Sequence, residues 1–364
     1  MTSESNTAPP MASVVMSVLN GERFLREAVE SILSQSFRDF EFIIVDDGST
    51  DTTASILDSY ARTDPRVEVY HQENRGMAES WNRGCTLGRG KYIVRMDGDD
   101  IAVRDRLMRQ IEYMEKHAEV GVLGGAVEII DASGIASYTE KFPVTDTDIK
   151  EAMKLYCAFR HPSVVIRKAA FLSVGGYRSA VSPAEDYDLW LRMAERCKLA
   201  NLSSVVLKYR VHLDNISHCQ LRRQAVGALA ARAAAKIRAG GGADPLWQGI
   251  DITADVLNTL GVTDEDIHKT VVDAYSAWVT IMWRVSQAAP AVQIFNDLLR
   301  FATGREIPKS ALLDGRLAEA CVRYREGRFF RAVVSVARAI LARPRIVGRP
   351  AKRALIRLRR WLVD

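Results

Sequence analysis

Short apolar runs alternate with helical periodicity along the first hundred residues. Four runs have the length and the β-branched content of buried strands: 13–18, 40–46, 67–70 and 91–96. Between them, apolar positions recur at helical spacing over Glu22–Leu33, after the Ser49–Asp51 cluster and over Met77–Cys85. Successive βα units of this length predict an α/β fold, with a mostly parallel sheet and helices on both faces.

The pattern changes beyond residue 100. Helix and strand signals are mixed up to a last strand over Val205–His212, and helix formers dominate from Leu221 onward. The segment Ser133–Pro143 is expected to be a loop. These signals predict a loose tail over 1–11, an α/β domain over 12–218, a helical domain over 219–343 and a basic tail over 344–364. Within the helical domain, Leu317–Arg343 resembles one tetratricopeptide helix-turn-helix, with Gly327 at the turn.

Composition narrows the function classes. Hydrophobic residues make up 48% of the chain and charged residues 26%, which is ordinary for a globular protein. The five cysteines form no CxxC pair, which argues against a disulfide framework or a structural zinc site and favours a reducing cytoplasm. The first ten residues lack the apolar run of a signal peptide, and no apolar stretch is long enough for a spanning helix.

Positive charge is concentrated at the C-terminal end. Arg316–Asp364 contains fourteen Lys or Arg against three acids, a net +11, so the remaining residues carry −6 of the total of +5. Residues 351–364 separate apolar from basic positions, a pattern typical of a helix on an anionic membrane surface. A solvated basic helix fits equally well. Nucleic acid is disfavoured, because no stacking aromatics or known binding fold accompany the arginines.

Acidic side chains follow two of the predicted strands, in VDDGSTD (Val45–Asp51) and MDGDD (Met96–Asp100). In open α/β sheets, ligands bind beyond the carboxyl ends of the strands, so both groups are expected at one site. On an extended backbone Asp97 and Asp99 would leave on the same side, where a carboxylate could bind Mg²⁺ whose other oxygens come from a diphosphate. A solvated acidic turn is the alternative. Of Asp46 and Asp47, one is expected to be a turn residue and the other to accept from a nucleotide base.

Six segments together resemble the inverting glycosyltransferases of family 2, of bacterial polysaccharide or lipopolysaccharide type. They are SVLNGERFLREAVESILSQSF (17–37), EFIIVDDGSTD (41–51), ENRGMAESWNRG (73–84), GKYIVRMDGDD (90–100), HPSVVIR (161–167) and AEDYDLWLR (184–192). The resemblance extends over about residues 12–215, in the family's order. It implies the GT-A fold, which is Rossmann-like, and a nucleotide diphosphate-sugar donor bound with Mg²⁺ or Mn²⁺.

The resemblance also implies roles for residues at matching motif positions. Donor contacts are expected from Ser17, Asn20, Asp46, Asp47, Asn74, Arg75, Asp97 and Asp99. Asp99 is the expected metal ligand, and Asp97 and His212 are further candidates, although a lone histidine beside a strand is more often structural. Asp186 corresponds to the general base. Its alternative role is that of an acid favoured at a helix N-terminus. Arg95, like Arg75, could also donate to phosphate.

The expected function is metal-dependent, inverting transfer of a sugar from a nucleotide diphosphate-sugar, with UDP as the expected nucleotide. The acceptor is expected to be a hydroxyl of a glycan or a lipid-linked molecule in cell-envelope polysaccharide synthesis, at the inner face of the cell membrane. A nucleotidyltransferase on a related sheet is an alternative, but SVLNGERFL lacks a glycine-rich phosphate loop. The other alternative is a non-catalytic nucleotide-sugar-binding scaffold. The combination of Asp47, Asp99 and Asp186 argues against it.

Overall fold

The computed structural model describes residues 8–212, 215, 219–246, 251–302 and 306–342. In these ranges the strands are β1 Ala12–Val18, β2 Phe40–Asp46, β3 Val67–His71, β4 Tyr92–Asp97, β5 Ile101–Ala102, β6 Val120–Ile130, β7 Ala136–Glu140, β8 Val165–Arg167 and β9 Lys198–Arg210. They form one sheet in the order β3-β2-β1-β4-β8-β6-β9-β5, and β7 pairs with β6.

The predicted parallel sheet is confirmed for the four strands of the first hundred residues. The pairs β2–β3, β1–β2 and β1–β4 are all parallel. The second half of the sheet is mixed: β6–β9 is parallel, whereas β4–β8, β6–β8 and β5–β9 are antiparallel. Every residue of β2 is buried, as expected of a strand whose two faces are both covered.

The described ranges also contain α-helices, some between the strands in the chain and the others after the last strand. They are α1 Leu25–Leu33, α2 Thr53–Thr63, α3 Met77–Leu87, α4 Arg106–Lys116, α5 Asp146–Ala152, α6 Lys168–Ser173, α7 Glu185–Ala194, α8 Leu221–Ala239, α9 Ala254–Thr259, α10 Asp264–Arg284, α11 Ala288–Ala302, α12 Lys309–Arg325 and α13 Phe329–Ala342. None of them combines the length and the hydropathy that crossing a bilayer requires.

Two predictions about local structure are wrong. The segment 133–143 is not a loop throughout, because β7 occupies Ala136–Glu140 and forms a hairpin with β6. The Asp131 side chain organises its turn by accepting from the backbone N–H groups of Ser133 and Ile135. Helix α1 begins at Leu25 rather than Glu22; the backbone N–H of Gly21 donates to Thr53, the first residue of α2, and that of Glu22 donates to Asp51 in the loop after β2.

The predicted helix-turn-helix near the C-terminal end is confirmed within the described residues. Helices α12 and α13 are consecutive, and Gly327 between them has a φ of 71°, a conformation that glycine adopts without strain. Helix α10 begins with a capping box in which the side chains of Thr263 and Asp266 each accept from the other's backbone N–H.

The chain forms two compact units. The first comprises the described residues within Met1–Ile130, Tyr138–Arg210 and Ala230–Gly261, and the second those within Asp131–Ser137, Val211–Leu229 and Val262–Asp364. The predicted domain boundaries stay a prediction. The basic tail over 344–364 lies outside the described residues, and so does most of the predicted N-terminal tail.

Candidate active site

The carboxyl ends of β2, β1 and β4 lie side by side, as the sequence predicted. Ser17 of β1 is in register with Val45 on one side and with Asp97 on the other. The backbone N–H of Asp47 donates to the carbonyl of Val18 at 2.9 Å, which fixes the start of the second loop against the first. The loop acids of both motifs therefore come from adjacent strands of one sheet edge.

Asn20 links the loops that follow β1 and β2. Its side-chain Oδ1 accepts from the backbone N–H of Thr50 at 2.8 Å, and its own backbone N–H donates to Ser49 Oγ at 2.9 Å. Asn20 has a φ of 52°, in the left-handed region that asparagine tolerates better than most residues. Asn20 is exposed at this edge of the sheet, where its side chain holds the two loops together.

Asp46 is held by its own protein surroundings. One carboxylate oxygen accepts from the backbone N–H of Ser49 at 3.0 Å, and the other lies 2.8 Å from His71 Nδ1. The second ring nitrogen of His71 lies 3.1 Å from Asp58. The two carboxylates raise the pKa of His71, Asp46 more than Asp58. Asp46 is thus the turn residue that the sequence expected of one member of the pair.

Asp47 organises the loop between β3 and α3. Its Oδ1 accepts from Gln72 Nε2 at 2.7 Å and from the backbone N–H of Arg75 at 2.9 Å, and its Oδ2 accepts from the backbone N–H of Gly76 at 3.0 Å. Asn74 and Arg75 are exposed on this loop. Asp47 therefore positions two of the predicted donor-binding residues.

The acids after β4 form a compact group. One oxygen of each carboxylate of Asp97, Asp99 and Asp100 lies within 4.8 Å of the others. The extended backbone expected for Asp97 and Asp99 is wrong, because Gly98 and Asp99 form a turn. That turn adds a third carboxylate, Asp100, which sequence reasoning missed although it follows Asp99 directly in the printed motif.

Asp100 has a buried carboxylate oxygen without a hydrogen-bond partner. Its side chain is buried, and while Oδ1 accepts from the backbone N–H of Arg210 at 2.8 Å, Oδ2 has no hydrogen-bond partner. Burial, and then the charges of Asp99 and Asp97, raise the pKa of Asp100 well above its usual value. Three clustered carboxylates with a buried orphan oxygen fit a divalent cation with oxygen ligands. The backbone N–H of His212 donates to Asn215 Oδ1 at 2.7 Å.

Arg95 is a buried core residue and not an exposed one. Its side chain is 2% exposed and lies over the Trp81 ring. Its Nη1 donates to Asp97 Oδ1 at 2.9 Å, and its Nε donates to His161 Nε2 at 2.8 Å. Arg95 thus fixes the first acid of the triad and joins it to the segment that precedes β8.

The predicted general base lies in the first turn of α7. Burial raises the pKa of Asp186 to about 6, against the opposing effect of its hydrogen bond from the Tyr187 N–H and of the charges of Arg95 and Arg160. The charge of Asp97 adds a further, smaller rise to the pKa of Asp186. Burial, and then the charge of Asp186, raise the pKa of Glu185 to about 7.

The neighbouring acid Asp188 has a structural role. It is fully buried and pairs with Arg192 at 2.7 Å, one turn further along α7. Asp186 has no comparable salt bridge among the described residues, and a half-buried carboxylate whose pKa is raised to about 6 is suited to accepting a proton.

Known proteins match this chain in both sequence and fold. The sequence profile described as Glycosyl transferase family 2 matches residues 13–175. The glycosyltransferase EpsE of Bacillus subtilis is 35% identical over 210 residues, which are 56% of this chain and 74% of EpsE. The chain belongs to glycosyltransferase family 2. This family 2 enzyme is also 32% identical over 206 residues to the O-antigen biosynthesis glycosyltransferase WbnJ of Escherichia coli, covering 56% of this chain and 80% of WbnJ.

A solved structure shares the fold. The mannosyltransferase PcManGT from Pyrobaculum calidifontis, in complex with GDP-Man and Mn²⁺, superposes with a TM-score of 0.50 and 18% identity, over 92% of this chain and 87% of PcManGT. The predicted GT-A fold is thereby confirmed. At this identity the likeness concerns the fold alone.

Proposed function

We propose that this enzyme transfers a sugar from a nucleotide diphosphate-sugar, in a metal-dependent and inverting reaction, to a hydroxyl of a glycan or lipid-linked acceptor in cell-envelope polysaccharide synthesis. The observation that carries the proposal is the group of three carboxylates Asp97, Asp99 and Asp100, of which Asp100 is buried, together with Asp186, whose pKa the charge of Asp97 helps to raise. Neither a nucleotidyltransferase nor a binding scaffold requires a base with a raised pKa in addition to the cation site. UDP is the proposed nucleotide.

The donor would bind across the carboxyl ends of β1, β2 and β4. The proposed donor contacts are Ser17, Asn20, Asp46, Asp47, Asn74, Arg75, Asp97 and Asp99. The exposed members of the set would touch the ligand directly, whereas the contacts of Asp46 and Asp47 indicate that these two act mainly by holding the loops in place.

The triad would hold Mg²⁺ or Mn²⁺, and His212 remains a candidate further ligand. The orphan oxygen of Asp100 and the mutual repulsion of three carboxylates fit such an ion. A divalent cation bound there would offset the negative charge that develops on the departing diphosphate. The chain's own contribution is to position Asp97 through Arg95, and Asp99 through Arg210, whose Nε donates to the Asp99 carbonyl at 2.8 Å.

Asp186 would remove the proton from the acceptor hydroxyl as that oxygen attacks the anomeric carbon. A single displacement from the side opposite the diphosphate inverts the anomeric centre. Burial makes Asp186 more basic than an exposed aspartate, and the charges of Arg95 and Arg160 keep its pKa low enough for it to be ionised near neutral pH.

The pH dependence of kcat/KM should report the protonation of Glu185 and Asp186. Asp186 acts as a base only when it is ionised, so activity should be lost as the pH falls through about 7 to 6, where Glu185 and Asp186 take up protons as a coupled pair. Initial rates across pH 5 to 9 at fixed ionic strength measure this. An acid limb near pH 4, where exposed carboxylates titrate, would contradict the assignment.

Donor binding and hydrolysis test the proposed function as a whole. The purified chain would be screened by thermal shift and by donor hydrolysis against UDP-, GDP- and dTDP-sugars, with and without Mn²⁺. We expect one nucleotide to stabilise the fold, the effect to disappear with EDTA, and hydrolysis to follow the same preference. A chain that binds none of the donors in the presence of Mn²⁺ would remove the proposal. Contact of residues 344–364 with a membrane stays a prediction.

A further inference from the structure

An ion pair that sequence reasoning missed lies near the proposed site. Arg160 donates from Nε to Glu140 Oε2 at 2.7 Å and from Nη2 to Glu140 Oε1 at 3.1 Å, a two-pronged arrangement that fixes both side chains. The Arg160 guanidinium lies over the Tyr209 ring, 4.9 Å from its centre. The side chains are 26% and 29% exposed, so the pair is rigidly held and still reaches solvent.

Tyr209 and Arg210 link this pair to the acidic triad. Tyr209, on which Arg160 stacks, directly precedes Arg210 in β9. The backbone N–H of Arg210 donates to Asp100, and its side chain donates to the carbonyl of Asp99. Arg160 is therefore separated from the turn that carries the triad by a single stacked ring and its neighbouring residue.

His161 links the pair to the helix that carries the proposed base. His161, which follows Arg160, contacts Arg95 and packs edge-on against Trp190 of α7, with ring centres 5.9 Å apart. Helix α7 carries Asp186 in its first turn, and the charge of Arg160 acts on that carboxylate. The pair is thus connected through its neighbours both to the acids that would bind the diphosphate and to the helix of the base that would activate the acceptor. In the proposed reaction, the transferred sugar would lie beside both groups.

We propose that the Arg160–Glu140 pair lines the donor-sugar subsite and selects neutral sugars over sugars that carry a carboxylate. This inference rests on the proposed function of the same site. Glu140 neutralises the arginine, so the pair offers donors and acceptors to sugar hydroxyls without net charge. A uronate would meet an arginine that is already paired, beside the charge of Glu140, and that repulsion works against it.

Two variants of the pair and one matched control test the assignment. Glu140→Gln keeps the shape and removes the charge, whereas Arg160→Lys keeps the charge and loses the two-pronged geometry. Glu112→Gln is the control, because Glu112 forms an exposed pair with Lys116 on α4, a helix that carries none of the proposed site residues. Each would be assayed for hydrolysis of UDP-glucose and UDP-glucuronate, or the matching GDP donors if GDP is the nucleotide bound, and for affinity for the free nucleoside diphosphate with Mn²⁺.

We expect Glu140→Gln to shift the ratio of kcat/KM between the uronate and the neutral donor by about tenfold or more toward the uronate. Arg160→Lys should lower kcat/KM for the neutral donor by about tenfold. Affinity for the nucleoside diphosphate alone should stay within about twofold of the wild type in both variants. A general folding defect would lower that affinity as well.

If the wild type hydrolyses a donor and both variants have the same kinetic constants as Glu112→Gln, the assignment of the sugar subsite is wrong while the proposed function stands. The assignment also fails if the variants change only the KM for an acceptor, which would place the pair on the acceptor side, or if they weaken the free diphosphate as much as the sugar donor. A wild type that binds no nucleoside diphosphate with Mn²⁺ would instead remove the proposed function, and the sugar subsite with it.

Discussion

Replacing Asp186 with asparagine should lower kcat by about 10²- to 10⁴-fold, the usual contribution of a positioned general base. Asparagine has nearly the same shape, and its oxygen can still accept from the Tyr187 N–H, so the first turn of α7 should be preserved. Donor affinity should change little, because the proposed donor contacts lie on other elements. Single-turnover transfer rates at pH 7.5, together with donor affinity by calorimetry, measure the two effects separately.

Stability provides the internal control for this variant. Burial raises the pKa of Asp186 to about 6, which means that the fold favours the protonated acid. Above that pH the ionised carboxylate lowers the stability of the native state, so a neutral asparagine should not reduce the melting temperature at pH 7.5. Glu151→Gln, in an exposed pair with Lys154, should leave both activity and stability unchanged. A variant at Asp186 that keeps kcat within about tenfold would show that another group takes the proton.

Much of the sheet could be predicted because the evidence for it is local. The runs that became β1, β2 and β4 are mostly apolar and buried, and the acids lie at the carboxyl ends of β2 and β4 and directly after them. A parallel arrangement then brings the carboxyl ends together without further information, as the register of Ser17 with Asp97 shows. The general location of the site thus follows from strand order alone.

The partners of the site residues could not be predicted in this way. Arg95 reads as an ordinary basic residue, and only its contact with His161, 66 positions later, makes it a buried link to Asp97. The bond from the Arg210 N–H to Asp100 spans 110 positions. The spacing of apolar residues along the chain gives no information about which distant residues form such pairs. For the same reason, the sequence could not show that the carboxylates of both Asp46 and Asp47 are held by protein groups.

The short strand β7 escaped prediction for a different physical reason. Its residues Ala136–Glu140 are half-buried or exposed, so they lack an apolar run, and their strand conformation comes from pairing with β6. Strand β7 places Glu140 within hydrogen-bond distance of Arg160. Because a polar strand at a sheet edge has no apolar pattern, Glu140 could not be recognised from the sequence as a candidate specificity residue.

Replacing Asp99 with asparagine should abolish Mn²⁺ binding in the presence of the nucleotide and lower kcat/KM by about 10²- to 10³-fold, because charge on the departing diphosphate would no longer be offset. Asp100→Asn should also weaken Mn²⁺ binding, because the unpartnered oxygen that would face the cation becomes an amide nitrogen, while the retained oxygen still accepts from the Arg210 N–H. Calorimetric titration of Mn²⁺ into the nucleotide-bound chain measures the affinities independently of turnover.

The matched control for the triad is Asp105→Asn, because Asp105 is exposed, forms a surface pair with Arg109 and directly precedes α4, a few residues after the triad. It should bind Mn²⁺ like the wild type. In the absence of metal, the triad variants should melt no lower than the wild type, since each removes one of three mutually repelling carboxylates, and they should lose the stabilisation that Mn²⁺ and nucleotide give. Wild-type activity that persists in excess EDTA, or Asp99→Asn with unchanged Mn²⁺ affinity, would show that the three aspartates hold the turn together without binding a cation.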